Sequence, residues 1–293
     1  MERPAPGSLT LHPLETLPAL PPLRLAVVGH VEWVSLIGVD ALPQAGSIRH
    51  ATAFREEPAG GGAVTAACMA RLLGRPVAFF TALGRDAIGE RAAARLRQLG
   101  LELHVAWRDQ PTRRGVSFVD PHGDRAITVI GERLTPMAAD ALPWHQLADC
   151  DGVFVTAADA PALRACRRGR ILAATPRVRL PVLRQAGVPL DALIGSGLDP
   201  GEAVADGALE PWPRLRIATE GADGGLASPG GRFPAPILRE PVVDSYGCGD
   251  SFAAGVTAGL AAGWSVEQAI SLGCHSGAAC ATHLGPYPDA AEP

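Results

Sequence analysis

The sequence contains no lysine, so all 26 of its Lys and Arg residues are arginine. A phosphate loop of the Walker type needs a lysine that reaches the nucleotide phosphates, so kinases and ATPases of that class are excluded. Enzymes that hold a substrate or pyridoxal phosphate as a lysine imine are excluded for the same reason. Asparagine is absent as well. Exclusive use of arginine in a chain rich in Ala, Gly and Pro indicates coding bias, and it assigns no function to the arginine count.

Long apolar runs are also missing, because no stretch reaches the roughly 18 to 20 residues that a membrane-spanning helix needs. The six cysteines form no C-x-x-C pair, and we expect reduced core thiols in a cytoplasmic protein. Cys274, His275, Cys280 and His283 match no common zinc spacing. The net charge of −4 gives no sign of a face that binds nucleic acid or a membrane.

The composition fits one large folded domain, since 47% of the 293 residues are hydrophobic. Five prolines fall within the first twenty-one residues, so we interpret residues 1–22 as a Pro-rich extension that is floppy or draped over the surface. Residues 23–293 are then a single α/β domain. We find no internal repeat and no long linker that would divide it.

Apolar runs and amphipathic segments alternate along the chain. Residues 23–30 and 76–84 are typical of buried parallel strands, and residues 61–74 and 87–100 are typical of helices. The alternation resumes after residue 150, which predicts a mostly parallel sheet with helices on both faces. Two regions break it, about 31–56 and 101–131. The second contains a hairpin signal, PHGD, and together we expect them to form a small β-sheet lid.

The stretch DSYGCGDSFAAG, residues 244–255, places three glycines and two aspartates before an Ala-rich helix. We expect the helix to begin near Gly249 or Asp250, where its first N–H groups lack partners and its dipole is positive. The N–H groups of Gly247, Cys248 and Gly249 then converge on an anion. A carboxylate beside such a site accepts a proton from a substrate hydroxyl in phosphoryl transfer. The alternative is that Asp250 only caps the helix.

Four segments in order resemble the signatures of the ribokinase-like, or PfkB-type, carbohydrate kinases. DSYGCGDSFAAG is similar to D-T-x-G-A-G-D-x-F, and GGGAVTAACMARLLG (60–74) is similar to the N-terminal glycine motif. ALGRDAIGE (82–90) resembles G-x-D-x-x-G, and ATEGADGG (218–225) resembles the nucleotide loop T-x-G-x-x-G. The resemblance runs from about residue 24 to 287. It implies a ribokinase-like fold with a mostly parallel central sheet, and ATP, Mg²⁺ and a small-molecule acceptor as ligands.

The resemblance also implies roles for individual residues. Asp250 is the expected catalytic base, and Gly247, Cys248 and Gly249 form the expected anion hole, with Cys248 standing where alanine is usual. The residues expected to line the nucleotide site are Thr219, Glu220, Gly221, Gly224 and Ser196. Asp244 and Tyr246 lie where some relatives bind a monovalent cation, which would be K⁺. Gly60 and Gly61 belong to the expected substrate site.

The sequence departs from the family pattern at three places. The N-x-x-E motif that organises Mg²⁺ is replaced by Ser196 to Asp199 with Glu202 close by, so we expect Asp199 and Glu202 to serve as a weaker Mg²⁺ site. Thr65 aligns with the asparagine that binds the sugar, and its hydroxyl keeps donor and acceptor capacity. Relatives often have an aspartate five residues after the glycine that ends the first strand, where this sequence has Val34. Glu32 is the nearest hydrogen-bond acceptor, and we predict that it binds substrate hydroxyls. The alternative is a surface or lid-strand carboxylate without that role.

Aromatic and basic residues of the lid segments allow two interpretations. Trp33 and Trp107 either stack on a sugar or base, or hold the lid or a dimer interface together. Arg113, Arg114 and Arg125 could approach a phosphate or an acidic substrate. Because exposed arginine in a chain without lysine usually serves solubility, we assign none of the three a role.

The most specific hypothesis is an ATP- and Mg²⁺-dependent kinase that phosphorylates a hydroxymethyl group of a sugar or sugar-like molecule. A nucleoside kinase of the same fold, or a catalytically weak regulatory protein that binds sugars or nucleotides, is the alternative. A nicotinamide enzyme is disfavoured because no G-x-G-x-x-G follows the first strand. By analogy with relatives, we expect a homodimer formed through the lid.

Overall fold

The computed structural model describes residues 7–288, which form two sheets and six α-helices. The strands are β1 (Leu25–Val28), β2 (Glu32–Gly38), β3 (Ala53–Ala59), β4 (Val77–Gly84), β5 (Leu101–Arg108), β6 (Arg114–Val119), β7 (Arg125–Ile130), β8 (Gly152–Val155), β9 (Ile171–Ala174), β10 (Ala192–Ser196), β11 (Leu215–Thr219), β12 (Gly225–Ser228) and β13 (Gly231–Phe233). The helices are α1 (Gly61–Leu73), α2 (Ala87–Gln98), α3 (Ala160–Cys166), α4 (Leu180–Ala186), α5 (Cys248–Ala261) and α6 (Val266–Cys280).

The central sheet has nine strands in the order β13-β12-β11-β10-β9-β8-β1-β4-β5. The pairs from β5 to β11 are parallel, and the β11–β12 and β12–β13 pairs are antiparallel. The expected fold class, a mostly parallel sheet with helices on both faces and a small lid sheet, is therefore confirmed. The antiparallel hairpin of β12 and β13 extends one edge beyond the predicted strands.

Each central strand is apolar on both faces, which is why the sequence shows continuous runs rather than alternation. Along β1, Leu25 and Val27 pack into one core with residues of α1, α2, α5 and α6. Ala26 and Val28 point to the opposite face and pack into a second core with residues of α3 and α4. Burial on both faces fixes the register of this strand, since a shift by one residue exchanges the two cores.

The lid is a four-stranded sheet in the order β3-β2-β6-β7, in which β2 and β6 are parallel and the outer pairs are antiparallel. Two details of the prediction are wrong. Residues 101–108 form β5, the edge of the central sheet, so Trp107 does not belong to the lid. The first lid segment runs to Ala59 rather than ending near residue 56. The hairpin prediction for PHGD holds, because it joins β6 to β7.

The described part of the N-terminal extension lies on the surface of the domain. Leu9, Leu11, Leu17 and Leu20 pack against the core beside α6, and a short 3₁₀ helix spans Leu14–Thr16. Residues 1–6 of the predicted extension lie outside the described residues. Within 7–288, no helix is both long enough and apolar enough to cross a bilayer.

Candidate active site

The candidate site lies at the carboxyl ends of the parallel strands, where ligands bind in open α/β sheets. Gly247 caps α5 with φ of 85°, a left-handed conformation that favours glycine. The N–H groups of Gly247, Gly249 and Asp250 make no hydrogen bond to any described residue, whereas Cys248 N donates to Ser245 O at 3.4 Å. The unpaired donors and the positive end of the helix dipole together make a site for an anion.

The carboxylate of Asp250 faces the start of a second helix. A methyl group added at Gly61 would lie 2.9 Å from Asp250 Oδ1, so the carboxylate rests directly against the first residue of α1. Thr65, one turn further along α1, donates its hydroxyl to Asp250 O at 3.2 Å. Thr65 has no exposed surface. It braces the loop that carries Asp250, and its contact with an acceptor stays a prediction.

The environment of Asp250 holds its pKa well above that of a free aspartate. Burial raises the pKa to about 6; the nearby Arg177 opposes the shift and Glu202 adds to it. A carboxylate with this pKa is ionised at neutral pH, yet it binds a proton more readily than an ordinary aspartate. This is the property that a general base for an alcohol needs.

A cavity of about 620 Å³ opens beside the same loop. Three residues predicted for the nucleotide site line it, Thr219, Gly221 and Gly224, together with two of the predicted anion hole, Cys248 and Gly249. Most of the remaining lining is apolar or small, namely Ala222, Phe233, Ala235, Pro236, Ile237, Leu238, Val242, Ser245, Phe252, Cys274, Gly277, Ala278 and Ala281. Such walls are suited to a flat apolar ring, and the start of α5 borders the same cavity.

Two other residues predicted for the nucleotide site are engaged in contacts at its border. Glu220 pairs with Arg232 on β13. Ser196, at the end of β10, donates its main-chain N–H to Glu202 Oε2 at 3.0 Å, and its hydroxyl accepts from Leu198 N at 3.2 Å. Neither is among the residues that line the cavity.

The acceptor side of Asp250 is charged and buried. Glu32, the first residue of β2, is only 8% exposed, and its Oε1 lies 3.1 Å from Arg113 Nε and 3.6 Å from His30 Nε2. Burial raises the pKa of Glu32 and lowers that of His30 well below its usual value, so His30 is neutral here. Gly60 donates its N–H to Tyr246 Oη at 3.3 Å and lies beside His30.

Four arginines near the site were given no role by the sequence analysis, namely Arg113, Arg133, Arg177 and Arg179. Arg113 is not a solubilising surface residue, because its side chain is only 13% exposed beside Glu32. Arg133, after β7, donates Nη1 to Arg177 O at 2.8 Å. Arg133, Arg177 and Arg179 line a cavity of about 320 Å³. Arg114 and Arg125 are exposed, and the Arg125 guanidinium lies 5.8 Å from the ring centre of Tyr246.

The predicted Mg²⁺ residues lie together but are already paired. Arg177 contacts Asp199 Oδ2 at 2.6 Å and Glu202 Oε1 at 2.5 Å. Asp199 and Glu202 are three residues apart, which is the N-x-x-E spacing with Asp in the first position, so the motif is better aligned on Asp199 than on Ser196. Within residues 7–288, no group of three or more His, Cys, Asp or Glu side chains could hold a metal ion. This applies also to Cys274, His275, Cys280 and His283.

The predicted monovalent-cation residues lie behind the loop. Asp244 has no exposed surface, and its two oxygens accept hydrogen bonds from Tyr246 N and Gly285 N, both at 2.9 Å. Each oxygen keeps a second lone pair, so cation binding by Asp244 and the Tyr246 main chain stays a prediction.

Nearby, a hydrogen bond with Cys280 lowers the pKa of Cys248. Trp33 is buried under the Arg91 guanidinium, 4.6 Å from the ring centre, and cements the lid onto α2.

Three comparisons with known proteins bear on this site. A 2-dehydro-3-deoxygalactonokinase from Haloferax volcanii is 24% identical over 249 residues, covering 72% of this chain and 78% of the relative. An adenosine kinase from Sinorhizobium meliloti superposes with a TM-score of 0.72 at 21% identity, over 92% of this chain and 97% of that one. A ribokinase from Cryptococcus neoformans in complex with ADP gives 0.69 at 22% identity, over 90% and 95%.

The structural matches are below 25% identity and show the fold alone. The family model described as pfkB family carbohydrate kinase covers residues 23–165 and 190–292, which is most of the chain. The first segment contains Glu32 and Gly61, and the second contains the loop with Asp250. The chain therefore belongs to the pfkB family of carbohydrate kinases, and it is a kinase that acts on a small molecule.

Proposed function

We propose that the protein transfers the γ-phosphoryl group of ATP to a hydroxymethyl group of a sugar or sugar-like molecule, with Asp250 as general base. One observation carries this proposal. The carboxylate of Asp250 lies against the start of α1, in the first turn of the helix whose initial N–H groups are unpaired, and its pKa is raised to about 6. Nucleotide and acceptor thus approach the same carboxylate from two sides.

Asp250 takes the proton of the acceptor hydroxyl while that oxygen forms a bond to the γ-phosphorus. The bond from the γ-phosphorus to the oxygen that bridges it to the β-phosphorus breaks, and ADP leaves with that electron pair. The N–H groups of Gly247, Gly249 and Asp250 stabilise the charge on the transferred group. Each such donor contributes about 3 kcal/mol in comparable anion holes.

ATP is the proposed nucleotide because the apolar cavity beside Cys248 suits an adenine ring. The Cryptococcus ribokinase, whose structure contains ADP, supports this choice. The cavity walls offer shape and main-chain atoms rather than charged side chains, which suits binding of a neutral base.

Mg²⁺ is the proposed metal, and the carboxylate oxygens of Asp199 and Glu202 are the hard donors that it prefers. Arg177 occupies one oxygen of each carboxylate, so these residues fit a role through water rather than direct coordination. When bound, Mg²⁺ supplies neutralisation of charge on the nucleotide phosphates. A stimulating role for K⁺ at Asp244 remains a further proposal.

The class of acceptor is not fixed by the fold, since relatives are named for a sugar acid and for adenosine. The direct test is an ADP-release assay with a panel of neutral sugars, sugar acids and nucleosides, each with ATP and Mg²⁺. We expect stoichiometric ADP and phosphorylated acceptor with at least one class. Ligand-dependent thermal stabilisation with no product from any class would instead indicate a binding protein.

We further propose a cytoplasmic homodimer that forms through the lid. Phe54, Ile127 and Val129 are exposed apolar residues of the lid sheet, at 64%, 43% and 46% exposure. Light scattering after gel filtration tests this, with Phe54→Ser expected to shift the protein towards monomer.

A further inference from the structure

We propose, building on the kinase function above, that the acceptor carries a carboxylate and that Arg133, assisted by Arg113, binds it. The acceptor is thus a sugar acid whose acidic end lies among these arginines while its hydroxymethyl end reaches Asp250. Glu32 then binds hydroxyls between the two ends.

The first support is the geometry of Arg113. Its side chain is 13% exposed, and its Nε lies 3.1 Å from Glu32 Oε1. This contact lacks hydrogen-bond geometry, so the buried Nε–H has no acceptor among the described residues. An unpaired buried donor is rare in folded proteins and usually has a partner that the protein chain does not supply. Arg113 therefore keeps donor capacity for a ligand, despite its ion pair.

Arg133 supplies the stronger argument. It forms no ion pair with any carboxylate of residues 7–288, and its buried Nε also lacks an acceptor. Burial lowers its pKa, and the neighbouring Arg113 adds to this. A half-buried guanidinium held beside another one is costly unless an anion neutralises it. A carboxylate that accepts two N–H groups of one guanidinium satisfies it best.

The charges around the site show where the anion belongs. Glu32 is matched by Arg113, and Asp199 and Glu202 are matched by Arg177. Arg133 and Arg179 remain without a carboxylate partner in the described part of the chain, and they line the same cavity of about 320 Å³. Three arginines and no carboxylate side chain line this cavity, so its lining is positively charged.

Arg179 adds evidence of a functional constraint. Its φ of 80° makes it the one residue other than glycine with positive φ in the described range. A long side chain in this conformation is strained, and such strain clusters at ligand sites. The backbone here turns the chain from the 3₁₀ helix Pro176–Val178 into α4, and both Arg177 and Arg179 border the cavity.

A nucleotide phosphate is the other source of an anion. The cavity of about 620 Å³ that suits the nucleotide shares no lining residue with the arginine cavity. The phosphates of a nucleotide in that cavity already have donors, since the N–H groups at the start of α5 are free. Arg113 lies against Glu32, and the charge of Arg133 acts on both His30 and Glu32, on the proposed acceptor side of Asp250. A carboxylate on the acceptor is therefore favoured.

The test measures binding to the full-length Asp250→Asn protein by calorimetry, so it does not depend on turnover. The probes are D-gluconate and 2-dehydro-3-deoxy-D-galactonate, each against its neutral amide, and ATP with Mg²⁺. We expect at least one acid to bind at least about tenfold more tightly than its amide. Adding Arg133→Gln should remove that preference, and Arg133→Lys should restore part of it, because lysine keeps the charge but not the fork.

Arg114→Gln is the matched control, because Arg114 is exposed and next in sequence to Arg113. It should keep the preference for the acid. Equal binding of acid and amide throughout, or a preference that survives Arg133→Gln, overturns the inference. A loss of ATP affinity in Arg133→Gln with acid binding intact identifies a phosphate ligand and also overturns it. In the ADP-release assay on the wild-type protein, product formed from neutral sugars but not from acids would leave the kinase function standing and would overturn only this inference.

Discussion

The two sides of Asp250 differ in the chemistry of their side chains. The nucleotide side is a cavity of about 620 Å³ lined by small and apolar residues. The acceptor side brings His30, Glu32, Arg113 and Arg133 together, with burial shifting the pKa of Glu32 up and that of His30 down. In the proposed function, one side recognises shape and the other recognises charge.

This difference separates what a fold family shares from what one member does. The proposed nucleotide side needs only the loop before α5 and an apolar wall. A charged acceptor site is specific, because each buried charge must find a partner or lose stability. Substitutions should therefore affect nucleotide and acceptor separately, except at Asp250, which both sides share.

Asp250→Asn should produce the largest effect, since it removes the proton acceptor while keeping the shape. We expect kcat to fall by at least about a thousandfold, with nucleotide and acceptor affinities within about threefold of the wild type. Asp206→Asn is the control, because Asp206 is an exposed surface carboxylate that pairs with Arg216. Steady-state kinetics and calorimetry on both variants give the comparison. Wild-type turnover in Asp250→Asn would exclude this residue as the base.

Two glycine substitutions divide the sides of the site. A methyl group at Gly61 would lie 2.9 Å from Asp250 Oδ1 and would displace the base, so Gly61→Ala should lower kcat by about 10- to 100-fold. A methyl group at Gly249 meets no protein atom within 4 Å and borders the nucleotide cavity. Gly249→Ala should therefore raise the KM for ATP and leave the KM for the acceptor nearly unchanged. The reverse pattern would mean that the two sides are assigned the wrong way round.

The activity should also depend on pH through Asp250. The base must be ionised, and burial raises its pKa to about 6. We expect kcat/KM to be level above pH 7 and to fall about tenfold per pH unit below 6. A profile of kcat/KM from pH 4.5 to 8.5, corrected for reversible unfolding, measures this limb. An acid limb near pH 4 would mean that the carboxylate is solvated like a surface aspartate.

The same pKa predicts a change in stability. Because the pKa of about 6 in the folded protein is above the 3.8 of a free aspartate, ionisation of Asp250 opposes folding. The penalty is absent below about pH 4, grows between 4 and 6, and is complete above 6. At pH 8, Asp250→Asn should thus be more stable than the wild type by about 3 kcal/mol, and at pH 4 the two should be nearly equal. Urea unfolding at both pH values tests this, and a gain that is independent of pH would contradict it.

The fold could be predicted from the sequence to a large extent, and the errors have physical causes. Buried parallel strands are continuous apolar runs, so β1, β4 and β8 to β11 are recognisable. The segment 101–108 was assigned to the lid because its charged residues, such as Glu102 and Arg108, hide the central-sheet edge strand. An edge strand is covered less completely than a central one, and its sequence is correspondingly less apolar.

Sequence motifs predicted several residues that gather around Asp250, including Gly61 and Thr65, but they did not predict the arginine cavity. The loop with Asp250 and the segment 219–224 are local motifs, and their geometry is encoded within a few residues. The arginine cavity draws Arg133 from after β7 and Arg179 from after β9, so no short segment reveals it. Because the chain has 26 arginines, the sequence alone does not show which of them bind a ligand, and only their burial in the structure distinguishes a few. The Asp199 and Glu202 pair, by contrast, kept a recognisable spacing.

The smallest expected effect concerns the rim of the nucleotide side. Ile237 lines the nucleotide cavity yet is 95% exposed, so it gains cover only if a base packs against it. Ile237→Ser should then raise the Kd for ATP by about fivefold, the value of about 1 kcal/mol from partial burial of an isoleucine, with acceptor binding unchanged. Ile48 is 92% exposed and does not line that cavity, so Ile48→Ser controls for general effects of the same exchange. Equal ATP affinity in both variants would mean that the base binds deeper, towards Phe233 and Phe252, and that shape alone defines this side.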